Sequence, residues 1–383
     1  MIVSQRNTIL LTFAAFGAVV GSHVGAMPFL VKASDITPFM FGIVGGIGML
    51  SNICAMSLGG MINRHFDHRS VLLAMLPMLS AGLLFGLLVG SVATFCFSFI
   101  ILSAILGTTD LFMNAEGSVV EHELGRPVFN SYHGAASLGI AAFAIIGSLV
   151  SAVFAPWFCA VLAGVPLAMA WLAVHKNIPS RAVIARLDRK RPVILPRRIL
   201  TFVGLAAGFN VACEAAAILW AGQLLTSIAP EFAAISGLGV AFYGVCGGTM
   251  RFFGDPLRAT YGDLRVMTVS IFTAVLGFVI LGFAPGFWLS VVAFAGVGFG
   301  LAVTFPCLFA LAGKLAPANR AAAMSYVAAV GGAPRVILPW MMGWLAAQFS
   351  LEAVFAACAF VAAGALVIIT LTFAEADSHV PTV

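Results

Sequence analysis

Apolar runs of about twenty residues, the length a helix needs to cross a bilayer, recur from one end of the chain to the other. Read between polar breaks, they fall near 8–30, 39–62, 71–90, 93–118, 129–152, 156–175, 199–226, 234–254, 266–284, 287–312, 321–345 and 352–374. A transmembrane β-strand would be about ten residues long and would alternate in polarity. These runs are longer and do not alternate, so the expected fold is an all-α membrane protein of twelve transmembrane helices. Composition removes the alternatives. Hydrophobic residues make up 62% of the 383 and charged residues 9%, whereas a soluble domain is about 25% charged. Water-soluble, disordered and disulfide-scaffold folds are excluded. Twelve spans use about 240 residues, which leaves about 140 for loops and tails and no separate soluble domain. Arg6, the apolar stretch after it and Val24-Gly25-Ala26 also meet the minimum pattern of a signal peptide. Cleavage there would leave eleven spans and spoil the internal repeat described below, so the run is read as the first span.

Basic residues set the orientation. Of the nineteen Lys and Arg, Arg6, Arg64, Arg69, Arg126, the eight from Lys176 to Arg198, Arg251, Arg258, Arg265, Lys314 and Arg320 share one side of the span map. Lys32 stands alone on the other side, and Arg335 lies inside the eleventh span. The positive-inside rule then places both termini and the basic segment 176–198 in the cytoplasm of a bacterial inner membrane. Topology accounts for the formal net charge of +5 without a nucleic-acid partner, and the basic segment can touch anionic lipid heads. The seven cysteines, Cys54, Cys96, Cys159, Cys213, Cys246, Cys307 and Cys358, stand singly in apolar runs. No C-x-x-C pair occurs, so neither a disulfide framework nor a metal site is expected, and no cofactor is implied.

Segment 176–198 divides the spans six and six, giving units 1–175 and 199–383. The two units echo each other. Gly59, Phe66 and Val71 correspond to Gly254, Tyr261 and Val266, and Ser131-Tyr132 corresponds to Ser325-Tyr326. A parallel repeat of this kind is a transporter plan in which two halves rock about a midplane site, and each half supplies the other's interface, so a monomer is expected. The plan resembles the major facilitator superfamily, whose glycine-acid-arginine signature lies in the 2–3 and 8–9 turns. GDPLRATYGDLRV (254–266) is similar to that signature, with Ala259 and Thr260 at positions usually acid and arginine. GGMINRHFDHRSV (59–71) is more degraded, with Arg64 where the acid stands. The gating role that the resemblance implies therefore falls on Arg251 and Asp255. TDLFMNAEGSVVEHELGRPVFNSYHGAASLG (109–139) resembles a narrower bacterial branch, YbjJ-like and MosC-like, of the form D-x-x-M-N, then V-E, G-R-P and H-G-x-x-S-x-G. Glu214 with Trp220 also resembles that branch. Leu219, Ala26 and Arg335 depart from it. The branch implies a sugar, polyol or amino-polyol substrate.

A charge at bilayer depth costs about 2.5–3.5 kcal/mol on the insertion scale and faces a cavity or a partner. Glu214 is about fifteen residues into span 7, with Asn210 one turn earlier on the same face. A buried carboxylate there can take up and release a proton. Arg335 lies at similar depth and keeps its charge, so it pairs with an acid or holds an anion. The expectation is a Glu214–Arg335 pair that a substrate anion opens, against a permanent internal ion pair. Asp110 and Asn114 share a face of span 4, as candidates for substrate or coupling contact. Glu116 points elsewhere and, by depth alone, is the expected partner of His133 in span 5. His23 sits in span 1 near the stripe Gly17, Gly21 and Gly25, which reads as close helix packing. Trp220 could stack on a sugar ring or an aromatic solute.

The leading reading is a secondary active transporter, with proton coupling suggested by buried carboxylates and a histidine. The expected cargo is a small polar solute, sugar- or polyol-like or an organic anion. No phosphate-cradling G-x-x-x-x-G-K-[ST] occurs, so ATP does not drive it directly. The alternative is a proton-coupled drug or metabolite efflux pump. Intramembrane proteases lack their motifs here, since neither H-E-x-x-H nor a G-x-S-x-G in a span occurs, and no enzyme is expected. A receptor without transport or a selective channel is less well supported, because no carbonyl filter or charged ring is visible.

Overall fold

The computed structural model describes residues 2–126, 128–181, 195–316 and 319–377, and the side chains of Asp255, Ala321 and residues 374–377 are not part of that description. The gating role expected of Asp255 and most of the basic segment, including Arg186, Arg189, Lys190 and Arg191, thus fall outside the described residues.

The chain forms α1 (Ile2–Ala33), α2 (Pro38–Ile62), α3 (His68–Leu87), α4 (Val92–Leu124), α5 (Phe129–Val153), α6 (Phe158–Asn177), α7 (Arg197–Ile228), α8 (Leu238–Tyr261), α9 (Asp263–Phe283), α10 (Phe287–Leu301), α11 (Thr304–Leu315), α12 (Arg320–Gln348) and α13 (Leu351–Asp377). A short 3-10 turn, Pro230–Ile235, precedes α8, and the described residues contain no strand. Among the described residues ten elements are long and apolar enough to cross a membrane, with α10 and α11 counted as one. The helices α8 and α12 match the others in length but carry Arg251 and Arg335 on inward faces, which lowers their apolarity. The tenth span departs from the continuous run expected at 287–312: it breaks at Ala302-Val303. Pro306 lacks the N–H that would bond the Ala302 carbonyl, so α11 starts afresh there.

The helices start where their caps allow. Thr37 accepts the Met40 N–H at 3.3 Å with Pro38 at the first position of α2, and Ser91 and Thr94 cap α4 reciprocally. Gly125 ends α4 in the left-handed region, φ 66°, which glycine adopts without a Cβ clash. Asp67 caps α3 by accepting the Ser70 N–H at 3.0 Å.

The internal repeat is visible in the packing. In the first half α1 packs on α5 and α6, α2 on α4, and α3 on α4 and α6. In the second half α7 packs on α12 and α13, α8 on α10, and α9 on α10 and α13. With α10–α11 counted as one span, these are the same pairings in the same order. The halves meet along α2–α12, α5–α8 and α1–α7. Glycine permits the closest approaches. A Cβ at Gly17, Gly21 or Gly25 would collide with the backbone of Ala136, Ile140 or Ala144 on α5, so the stripe is a packing seam. Between the halves, a Cβ at Gly42 would lie 2.5 Å from the Gly343 Cα, and one at Gly222 would lie 2.8 Å from Pro28. Both contacts lie at the end where α1 runs into α2, and the structure is closed there.

Two predictions test this framework. Gly21→Leu should abolish folding or lower the melting temperature sharply, because backbone rather than a movable side chain stands in the way. Gly60→Ala, which meets nothing within 4 Å, should leave the melting temperature unchanged or raise it. Burial pushes the Asp67 carboxyl up, but hydrogen bonds from Ser180, from Ser70 and from the Arg181 N–H outweigh it and hold the group at about 2. A depressed acid stabilises above its unfolded pKa and loses that contribution as pH falls through the folded one. Asp67→Ala should therefore cost about 1 kcal/mol near neutral pH. Thermal melts should show the gap to the native protein holding down to pH near 4 and narrowing toward pH 2.

Candidate functional site

Three polar clusters lie among the spans. In the first, Glu214 of α7 accepts from Arg251 Nη2 at 2.9 Å and from the Tyr243 hydroxyl at 2.8 Å, both on α8. Arg251 Nη1 donates to Ser137 Oγ on α5 at 2.7 Å, and that hydroxyl donates to the His133 carbonyl at 2.9 Å. One guanidinium thus ties the two halves together. The pair is not sealed off, since the Arg251 and Glu214 side chains are 25% and 20% exposed. Here the expectation is corrected: the direct partner of Glu214 is Arg251, not Arg335. Helix depth places Glu214 and Arg335 at one level but says nothing of which way each turns around its axis.

The second cluster is Asp110, Asn114 and Arg335. Asn114 Nδ2 donates to Asp110 Oδ1 at 2.9 Å and to the Asp110 carbonyl at 2.7 Å, as their one-turn spacing allows. Arg335 makes no hydrogen bond or ion pair among the described residues, and its Nε is buried without a partner. The acids whose charge acts on it are Asp110 and Glu214. Its place on α12 is set on both sides. A Cβ on Gly208 of α7 would lie 2.6 Å from the Gly331 carbonyl and 2.9 Å from Pro334, while one on Gly46 of α2 would lie 2.9 Å from the Val336 carbonyl. Arg335 falls between these faces on the helical wheel and lines a small cavity with Gly208 and Val211 of α7 and Phe305 and Phe309 of α11.

The third cluster is closed. Glu116 of α4 is fully buried, 2.9 Å from His68 Nδ1 and 3.5 Å from Arg181 Nε, and Arg181 also pairs with Glu123. His133 is not its partner. That ring packs on Phe13 and Phe129, each with centroids 5.2 Å away. Again depth was legible but azimuth was not, and Glu116 turns toward α3.

Of the remaining candidates, Asn210 is buried and donates to the Leu301 carbonyl at 3.4 Å, at the α10–α11 break. Trp220 is buried edge-on against Phe41, centroids 4.8 Å apart, at the closed end, so it does not face an open site in this state. His23 is buried beside Phe99, 5.6 Å between centroids, and lines a cavity of about 190 Å³ between α1, α2, α4 and α7. Sequence reasoning missed Ser137, Tyr243, His68 and Arg181. Ser137 carried a signal, as the serine of H-G-x-x-S-x-G. Tyr243 could have been noticed two turns before Arg251, while nothing marked Arg181 as a partner of α4. Among the described residues no group of three or more His, Cys, Asp or Glu could hold a metal ion.

A repeated bundle of membrane helices with a charged cleft between its halves is the architecture of a membrane transporter. The Major Facilitator Superfamily family model matches residues 200–382. An uncharacterized MFS-type transporter of Yersinia pestis is 24% identical over 92% of this chain and 92% of its own length. Membrane protein MosC of Rhizobium meliloti is 21% identical over 89% of this chain and 83% of its own. Among solved structures, a single-site mutant of the nucleoside transporter NupG superposes with TM-score 0.79 at 13% identity, covering 96% of this chain and 100% of that one. The xylose transporter XylE from E. coli, in a partially occluded inward-open conformation, gives 0.73 at 11% identity over 96% and 97%. At these identities the structures speak for the fold alone. Together the matches support a major facilitator superfamily transporter, as the sequence motifs implied.

Removing one partner of a partly desolvated ion pair leaves the other charge unpaired and costs more than removing both. Arg251→Met alone should therefore lower the melting temperature, and adding Glu214→Gln should recover part of the loss. A double variant that melts no higher than Arg251→Met would show the pair to be uncoupled.

Proposed function

We propose that the chain is a proton-coupled secondary transporter of a small organic anion, working by alternating access across the bacterial inner membrane, with both termini and segment 176–198 cytoplasmic. The units 1–175 and 199–383 are the two moving bodies. One observation carries the reading: Arg335, at mid-span depth, has no ion-pair partner among the described residues, while Glu214 is already taken by Arg251. Asp110 and Glu214 act on that guanidinium only from beyond ion-pair distance; a charge at that depth without a close partner is costly, and a substrate carboxylate or phosphate would supply one. Asp110 and Glu214 are the acids whose charge that anion would meet, so they are the groups on which proton uptake would offset substrate charge. The reading assigns no chemical step, cofactor or metal to the protein. A polyol substrate would leave Arg335 without a close ionic partner. A cation-exporting pump would place its cargo beside an unneutralised arginine.

The test is a melting-temperature screen with D-gluconate, myo-inositol, D-glucose and tetraphenylphosphonium, followed by proton uptake in proteoliposomes. A ligand of the folded state raises stability by RT ln(1 + [L]/Kd). Gluconate or another acid should stabilise the native protein and drive proton movement, and both effects should vanish in Arg335→Ala and be weakened in Arg335→Lys. Stabilisation by neutral polyols or the cation, unchanged in Arg335→Ala, would sink the anion reading.

A further inference from the structure

The cavity beside His23 bears on the substrate class, and the argument rests on the anion reading above. Its volume is about 190 Å³, room for about ten non-hydrogen atoms at interior packing density. Helices α1, α2 and α4 supply three walls from the first half, and α7 supplies the fourth from the second, through Ala215, Ile218 and Leu219. A solute held there contacts both halves at once. The lining is mainly apolar, including Met49, Phe99 and Leu106. Its polar groups are few: Asn52, whose Nδ2 is spent on the Ser103 carbonyl at 3.2 Å, the Ser103 side chain, and the buried His23 imidazole, which has no hydrogen bond among the described residues. A sugar or polyol would leave most of its hydroxyls unpaired against such walls, and each unpaired buried hydroxyl is destabilising.

The cavity is continuous in level with the charged cluster. Leu106 precedes Asp110 by one turn on the same face of α4, and Ala215 adjoins Glu214 on α7. Arg335 lines a smaller neighbouring cavity with Gly208 and Val211 of α7, and Val211 precedes Ala215 of the His23 cavity by one turn on that helix. One helical turn is about 5.4 Å, so an apolar body in the cavity and an anionic group at Arg335 can belong to one small molecule.

We propose that the transported anion is amphipathic: a monocyclic or branched apolar body seats in the His23 cavity and a carboxylate on a short spacer reaches Arg335. The apolar body selects by shape and the carboxylate by charge. Ala215 and Met49 are specificity-determining residues, since each sets the room available to the body rather than the charge.

Calorimetry or thermal shift on the purified full-length protein tests this with 3-phenylpropionate, 3-phenylpropionamide, phenethylamine and D-gluconate. The native protein should bind 3-phenylpropionate best. Arg335→Ala should lose that preference over the amide. Ala215→Leu, which fills the cavity, should weaken 3-phenylpropionate by about tenfold or more and weaken gluconate less. Met49→Ala, which enlarges the cavity and does not depend on Ala215→Leu folding, should shift preference toward 2-naphthylacetate. If gluconate binds as well as 3-phenylpropionate and neither cavity variant matters, the amphipathic substrate is overturned while the anion reading stands. Equal binding of the amide or the amine, unchanged in Arg335→Ala, would overturn both. No binding by either aromatic acid would overturn the amphipathic assignment.

Discussion

An ionised side chain inside a bilayer must find an opposite charge or face water, and the interior of this protein is organised around that constraint. Glu214 and Arg251 meet it with each other, with Tyr243 and Ser137 taking their remaining hydrogen bonds. Glu116 meets it with His68 and Arg181. Arg335 has no ion pair among the described residues, and only the more distant charges of Asp110 and Glu214 act on it.

The H-G-x-x-S-x-G segment shows how one stretch of sequence serves several contacts. On α5, His133 packs on Phe13 and Phe129, and a Cβ at Gly134 would lie 2.5 Å from Phe252 of α8. Ser137 takes Arg251, and Gly139 lets α5 sit against Ala14 of α1. The segment thus joins α5 to its own bundle on one side and to the opposite half on the other. Rocking of one half against the other would have to break or shift the Ser137–Arg251 contact, while the α1–α5 glycine seam would move as a unit.

Polar side chains in this protein differ in what they leave unsatisfied. Asn210 spends its donor at the α10–α11 break, and Asn114 spends its donor on Asp110. Trp220 and Phe41 close one end of the cleft together with Gly42 and Gly343. Among the described residues between the halves lie the Arg335 guanidinium, the Asp110 carboxylate that shares its field, and a largely apolar chamber with an imidazole on its wall.

Twelve spans, their approximate limits, the repeat and the glycine seam of α1 were all legible in the sequence, because helix length and small-residue spacing are local properties that bilayer thickness and close packing translate directly. The residues that matter at depth were legible too, since few charges stand in apolar runs and each is conspicuous. Their partners were not. Rise per residue places Glu214 level with Arg335 and His133 near Glu116, but pairing also depends on the rotation of each helix about its axis and on which helix lies beside it. Only the packed bundle decided that Arg251 takes Glu214, that Arg181, reaching α4 from beyond α6, takes Glu116, and that Arg335 is left over, because those contacts join residues from 37 to 65 positions apart in the chain.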